Sequence, residues 1–559
     1  MASPSNVASS PGGSGHFKRT VGFYGLMFIS LGSIIGSGWL LGALNAAKAA
    51  GPASLISWVL AAAMLAVLAL IHAELGAAYP VAGGTARFPL FAFGSITGFI
   101  AGWSAWLQAV AIAPIEVEAS LAYLDNIPWV KDNLNLLHIG GDLDGTLTAS
   151  GFFWATLLMI VFTLVNIVGV KLLSESNTIT VLWKTAVPLL TVLVLLPLSF
   201  HGSNFSAGGG FMPFGLHGVF AALPLGVVFA LQGFEQCIQL AAEAADPKRD
   251  LSRAVIVAMG IGAIVYILLE IAFIGSLDPA NLVHGWADPI AKGDFGPYAT
   301  LAIAAGAGWL AYVLYIDAFV SPAGTGLIYV GTSARLTYAL GRDKQIPGVF
   351  GKLSVRGVPL WSIVLAFVIG EASFAPFPSW QKLVGIVTSA TAVMYAFAPV
   401  SLTALRRRDP DRPRPYRAPM PAVLAPLGFI CANLIIYWSG WDVVYKIGIA
   451  VVIGLVIFFV TRAFQPSDKR SDLNLRSAQW VVPWLVGQVV LGYLGRYSSG
   501  PDDPPSNILP DGIDVLVIVV FSLAIFYWAV NCALPSEKVL AAVDAEEAEL
   551  AQGPEITTA

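Results

Sequence analysis

The sequence predicts an all-α integral membrane protein of about fourteen transmembrane helices, and three observations predict it. The chain of 559 residues is 57% hydrophobic but only 11% charged, against roughly 25% charged residues in soluble domains. Its mean hydropathy is +0.75. Apolar runs of about 17 to 30 residues recur from one end to the other, each long enough to cross a hydrocarbon core about 30 Å thick. The three cysteines, Cys237, Cys431 and Cys532, fall within those runs and support neither a disulfide frame nor a thiolate metal cluster. No metal or cofactor is implied. A net charge of −4 is too slight to imply nucleic acid or another strongly charged partner.

In chain order, a Ser/Gly/Pro-rich segment (residues 1–19) reads as a disordered tail. The first run, 21–47, is too long for a signal-peptide core and has no small-residue cleavage site after it, so it is expected to remain as a span. Runs 53–79, 95–124, 151–169 and 178–200 complete a group of five within residues 20–200. Runs 216–242, 254–277, 308–334, 358–376 and 383–405 form a second five within 215–405. Four more, 421–440, 445–464, 479–495 and 513–534, fill 420–534 and leave a tail of 535–559, whose "DAEEAEL" reads as a short acidic helix or as disorder.

Orientation follows from Lys and Arg, which stay on the cytoplasmic side of a span. With the N-terminus inside, about 23 of the 30 basic residues fall inside, among them Lys18, Arg19, Arg87, Lys171, Arg335, Arg342, Arg356, Lys469 and the turn "RRRDPDRPRPYR" (406–417). Lys48, Lys131, Lys292, Lys382, Lys446 and Arg496 fall outside. This supports an even number of spans in a cell membrane, with both termini cytoplasmic. The basic turns read as topology determinants or lipid headgroup contacts.

The stretch "SLGSIIGSGWLLG" (30–42) places four glycines and three serines inside the first span. Broken helix within a membrane is tolerated where it is buried in protein or lines a cavity. An unwound Gly36-Ser37-Gly38 frees N–H groups that suit an anion and carbonyls that suit a cation, so a zwitterion matches both. Close helix packing by small residues explains the same glycines. The sixth span, "FALQGFEQCIQL" (229–240), has a second glycine, Gly233, beside a buried acid, Glu235. Two interrupted spans at corresponding places, first and sixth, mark inverted five-helix repeats around a midplane site, and so a transporter.

These residues resemble the amino acid–polyamine–organocation superfamily of transporters, amino acid permeases with the LeuT fold. The likeness rests on "GSIIGSGWLLG" (32–42), "AELGAAYPVAGGT" (73–85), "GFIAGWSAWLQ" (98–108), "NIVGVK" (166–171), "FALQGFEQ" (229–236) with "AADPKRDLSRAV" (244–255), and "SARLTYALGRDKQIP" (333–347). It covers about residues 18 to 465, and the two further spans are similar to the fourteen-helix, cationic amino acid transporter-like subset. The resemblance implies that a substrate carboxylate rests on the amides of Ser37, Gly38 and Trp39 beside Gly36. It implies that the ammonium is held by carbonyls of Ile34, Phe229 and Gln232, with Phe229 as an aromatic lid next to Gly233. Gln232 departs from the apolar residue common there.

Lys184 is the one basic residue within a span, where an unpaired lysine costs about 3 kcal/mol and needs a partner or a task. The resemblance places a lysine here where sodium-coupled relatives hold their ion, which favours proton coupling, with a fixed brace as the alternative. Glu116 and Glu118 on the third span point about 200° apart and cannot share one proton as a close dyad. One is expected to face the core near Lys184 and the other to lie nearer the outer end. Glu235 either bonds the loosened backbone or relays protons. Glu270 and Asp317 are also intramembrane, and Glu74 reads as a loop-pinning residue.

The expected function is secondary active transport of amino acids by alternating access, proton-coupled and sodium-independent, or else obligate exchange of amino acids or polyamines. Its partners would be the amino acid, protons and membrane lipids. An enzyme is disfavoured: the six histidines are scattered and no pair has helical ligand spacing.

Overall fold

The computed structural model describes residues 21–552 apart from 82, 169, 292–293, 355–357, 376–378, 468–469 and 499–503. The expected tail of residues 1–19, with Lys18 and Arg19, lies outside the described residues, as do Lys292, Arg356, Lys469 and the side chain of Lys171.

Among the described residues there is no strand, only isolated bridges between Val21 and Ala244 and between Leu137 and Leu147. The physical reason is the apolar run itself. In hydrocarbon every N–H and C=O must find a partner within its own segment, so each run closes into helix. The first span is Phe23–Ile34 continued by Gly38–Ala50. Ser54–Ala78, Ser95–Leu124, Ala149–Val168 and Val170–Ser199 follow. The sixth span begins at Gly215–Ala222, kinks through Leu223–Val227, and ends in Val228–Leu231 and Gln236–Gln239 on either side of a break. The kink follows Pro224 and turns on Gly226, whose φ of +132° is open to glycine and costly for other residues. Pro247–Ser276, Gly308–Arg342, Leu360–Phe374 and Trp380–Arg408 complete the second five. Pro421–Trp438, Trp441–Ala463, Val481–Leu494 and Ile513–Asn531 are the last four.

The third and tenth spans form the centre of the bundle. Their most apolar windows are 89% and 94% buried, against 33% for the fourth and twelfth, which face outward. The third packs along the eighth and tenth, and the seventh along the second and the first.

The two termini of the described chain lie at the same end. The Val21 amide donates to the Glu243 carbonyl at 3.2 Å and Ala245 donates to Val21 at 2.9 Å. The tail forms a helix, Ser536–Gln552, that lies against the short helix Gly84–Phe93. There Glu546 approaches Arg87 at 3.6 Å while Arg87 also pairs with Asp343 at 2.7 Å. An even number of spans requires this arrangement.

The same end carries the basic turn 406–417, and three of its arginines have partners within the protein. The carboxylate of Glu74, fully buried, accepts Arg406 at 2.7 and 2.5 Å and the Ala418 amide at 2.7 Å, with Arg414 at 3.5 Å. Arg412 donates to the Ala78 carbonyl at 2.9 Å and lies 4.9 Å over the Tyr79 ring. A carboxylate taken out of water needs charged partners, so these arginines are drawn inward.

Candidate functional site

The break in the first span comprises Ile35, Gly36 and Ser37, one residue earlier than expected, since Gly38 already opens the second half-helix. Unwinding frees polar groups on both sides, and side chains from four other spans satisfy them. Lys184 of the fifth span donates to the Gly32 carbonyl and to the Thr325 hydroxyl, each at 2.6 Å. Thr325 of the eighth span lies within hydrogen-bond reach of both Gly32 and Ile35 carbonyls, at 3.2 and 3.4 Å. Tyr266 of the seventh span donates to the Ile34 carbonyl at 2.8 Å.

The start of the half-helix Gly38–Ala50 meets a carboxyl group of the protein's own. The Ser37 amide donates to Glu116 Oε2 at 2.8 Å. Gly36 makes room for this: a Cβ there would sit 2.6 Å from Glu116 Oε1 and 3.0 Å from the Thr325 hydroxyl. Gly38 has a different reason to be small. A Cβ there would meet the Ala230 Cα at 2.7 Å, so the halves of the first and sixth spans touch backbone to backbone.

In the sixth span Gln232 is extended and Gly233 has φ +110°, with Ser33 so close that a Cβ would meet it at 3.0 Å. Glu235 folds back on this break. Its Oε2 accepts the Gly233 amide at 3.1 Å and the Tyr395 hydroxyl at 2.5 Å, and its Oε1 accepts Gln236 at 3.2 Å. The Ser30 hydroxyl donates to the Phe234 carbonyl at 2.8 Å and so ties the two broken spans together.

Between the breaks lies a cavity of about 10 Å³, lined by Ile34, Gly36, Gly38, Glu116, Phe229 and Gln232 among others. That is room for about one water. Toward the end that carries Arg87 a cavity of about 410 Å³ opens, and a hydrogen bond of 3.2 Å from Thr332 to Gln236 crosses between the eighth and sixth spans near its inner limit. Toward the opposite end lies a pocket of about 30 Å³ beside Glu118 and Trp380. Trp380 closes that side: its indole N–H donates to the Ser37 hydroxyl at 2.9 Å, and its ring meets Phe229 edge to face at 5.7 Å.

Several expected residues therefore converge and others do not. Ile34, Gly36, Gly38, Phe229, Gln232 and Glu116 line the cavity, with Ser37 and Gly233 at its edge. The Ile34 carbonyl is a correction. It already accepts Tyr266 and the Gly36 amide at 3.2 Å, which uses both its lone pairs in this conformation. The Trp39 side chain turns away and packs on Tyr298 at 5.6 Å. Lys184 stands behind the break, Glu118 in the far pocket, and Glu235 behind Gly233. Glu270 accepts Ser54 and Trp58 and holds the seventh span to the second.

The sequence of this chain matches the family model for amino acid permeases over residues 21–458. It is 36% identical over 523 residues to the glutamate/serine transporter AimA of Bacillus subtilis (strain 168), covering 93% of this chain and 95% of that one. It is 33% identical over 529 residues to the aspartate-proton symporter of the same organism, covering 94% and 98%. The chain belongs to the amino acid permease family. It is accordingly a multi-pass membrane permease for amino acids and not an enzyme.

Four groups at this permease's site escaped the sequence reading: Tyr266, Thr325 and Trp380, which bond the first break, and Tyr329, which lines the cavity. Thr325, in "SPAGTGLIYV", could have been found as a hydroxyl within a run of small residues in an intramembrane helix. Trp380 carries no such signal, because its partner Ser37 is 343 residues away.

Proposed function

We propose that this chain is a secondary active transporter that carries an amino acid together with a proton, without sodium, by alternating access. In this reading the repeats 20–200 and 215–405 move against each other around the two breaks. The end with Arg87 and the helix Ser536–Gln552 is cytoplasmic, and the membrane is that of the cell.

The observation that carries the reading is the Glu116 carboxylate on the Ser37 amide. A substrate carboxylate needs that same donor at the start of the outer half-helix. When it arrives, Glu116 loses its partner in a site closed to water, and an unpaired buried carboxylate is expensive unless it takes a proton. Substrate entry and protonation of Glu116 therefore go together. On the far side the substrate leaves, Glu116 releases its proton, and the carboxylate returns to Ser37. The substrate ammonium is held by the Phe229 and Gln232 carbonyls. Lys184 is the fixed cation that holds Gly32 and Thr325 and fills the place that the resemblance gives to sodium. Glu118 and Glu235 flank Glu116 toward the two ends and serve as proton stations. The aspartate-proton symporter, aligned over nearly its whole length, supports the choice of ion.

The same contact favours symport over obligate exchange. A conformation closed around an internal carboxylate gives the carrier a way to reorient without cargo. The test is uptake of labelled glutamate, aspartate and serine into sodium-free proteoliposomes with an inward proton gradient. Accumulation in vesicles holding no amino acid is the expected result, and uptake only into preloaded vesicles would make the protein an exchanger.

A further inference from the structure

The central cavity contains a polar group that nothing among the described residues engages. The Gln232 side chain is 3% exposed, lines the cavity, and has no hydrogen-bond partner among the described residues at either its Oε1 or its Nε2. Buried amides are nearly always paired, because an unpaired one carries the uncompensated desolvation of its donor and its acceptor. A leucine or methionine would fill the same volume without that cost. Tyr329, 1% exposed, brings a phenolic hydroxyl to the lining of the same cavity. The groups committed to the substrate backbone lie elsewhere: the Ser37 amide on one side, and on the other the main-chain carbonyls of Phe229 and Gln232.

We propose that the Gln232 amide is the receptor for the substrate's side chain and selects amino acids that carry a side-chain oxygen, a hydroxyl or a carboxylate, over apolar ones of equal size. The inference rests on the transport reading above and adds the substrate class to it. The chemistry is direct. The Nε2 group donates two hydrogen bonds, which a serine hydroxyl oxygen or a glutamate carboxylate accepts, and Oε1 accepts the serine proton. An apolar side chain in that place would leave both ends of the amide unpaired, and a site built to bond a hydroxyl rejects an analogue that lacks it far more strongly than an apolar pocket rejects an added one. Gln232 sits on the extended residue of the break, with φ −76° and ψ 164°, so its side chain is set by the unwound backbone rather than by a helical rotamer.

The experiment is competition for labelled serine uptake by purified full-length protein in proteoliposomes, with the pairs serine/alanine and threonine/valine, which differ by one hydroxyl in nearly equal volume. The parent should prefer the hydroxylated member of each pair at least about thirtyfold, and Gln232→Leu should shrink that ratio by tenfold or more. Gln232→Glu, which removes the N–H donors, should lower the glutamate-to-serine ratio by at least tenfold. If Gln232→Leu gives no folded protein, Gln232→Met, which keeps the side chain's length, reads the same ratio. Pair ratios in these variants equal to the parent's would overturn the assignment while leaving transport intact. A parent protein that takes up no amino acid at all would overturn the transport reading itself.

Discussion

Glu116 Oε2 lies 2.8 Å from the Ser37 amide nitrogen, across 79 residues of sequence and at the one point where the first span unwinds. The contact places a carboxylate where the dipole of the half-helix Gly38–Ala50 favours negative charge. It also sets a competition, because one amide cannot serve this side chain and a substrate carboxylate together.

Competition coupled to proton uptake gives apparent substrate affinity a fixed sign of pH dependence. With the coupling proposed above, the bound state would hold one proton more than the unbound state, so affinity would fall as pH rises, by up to tenfold per unit. Glu116→Gln removes the titrating group and should give a flat profile together with loss of proton-driven accumulation. Binding measured by isothermal titration from pH 5 to 9 decides it, and a variant that kept the parent slope would move the coupling to Glu118 or Glu235.

Lys184→Ala withdraws the donor from the Gly32 carbonyl and from Thr325 at once. Uptake should drop by at least tenfold at every pH, and substrate should no longer raise the melting temperature of the detergent-solubilised protein. Full uptake with an altered pH profile would instead make Lys184 the proton carrier.

The two glycines of the first break should separate by phenotype. Gly36→Ala pushes a methyl into Glu116 and Thr325, so it should disturb proton coupling more than stability. Gly38→Ala drives a methyl against the Ala230 backbone and should destabilise the fold by about 1–3 kcal/mol, the usual cost of overpacking. Thermal unfolding and proton-driven uptake on the same two samples distinguish the cases. Equal losses in both assays for both variants would contradict the geometry.

Glu74→Ala leaves Arg406 and Arg414 facing one another without their shared carboxylate. A loss of about 3 kcal/mol is expected, as when one partner of a buried ion pair is removed, with the 406–418 turn becoming open to limited proteolysis. The preference between serine and alanine should not change. A variant as stable as the parent would show that the ion pairs contribute nothing net.

The span pattern and the two breaks were legible because hydrocarbon imposes one rule on every backbone: an apolar run closes into helix, and a run rich in glycine signals an exception. The opposite facing of Glu116 and Glu118 followed from helical geometry alone, and the structure puts the first on the central cavity and the second in the far pocket. The partners of these groups were not legible. The third and tenth spans are enclosed on nearly all sides, so their hydrophobic pattern has no polar face from which to read a direction. Glu116 with Ser37 and Trp380 with Ser37 join these two helices to the break in the first span, and only the packed bundle selects those contacts. Gln232 was visible as an unusual residue type, but whether its amide had a partner depended on the folded neighbourhood.

The hold that Glu74 keeps on Arg406 and Arg414 separates two moments in the life of the same charges. While the chain is being inserted those guanidiniums are bare, and the rule that fixes orientation acts on them then. Once the bundle has closed they share one internal carboxylate, which offsets one of their two charges, so the field this turn projects is weaker than its residue count implies. A single acid on the second span converts a topology signal into a structural clamp.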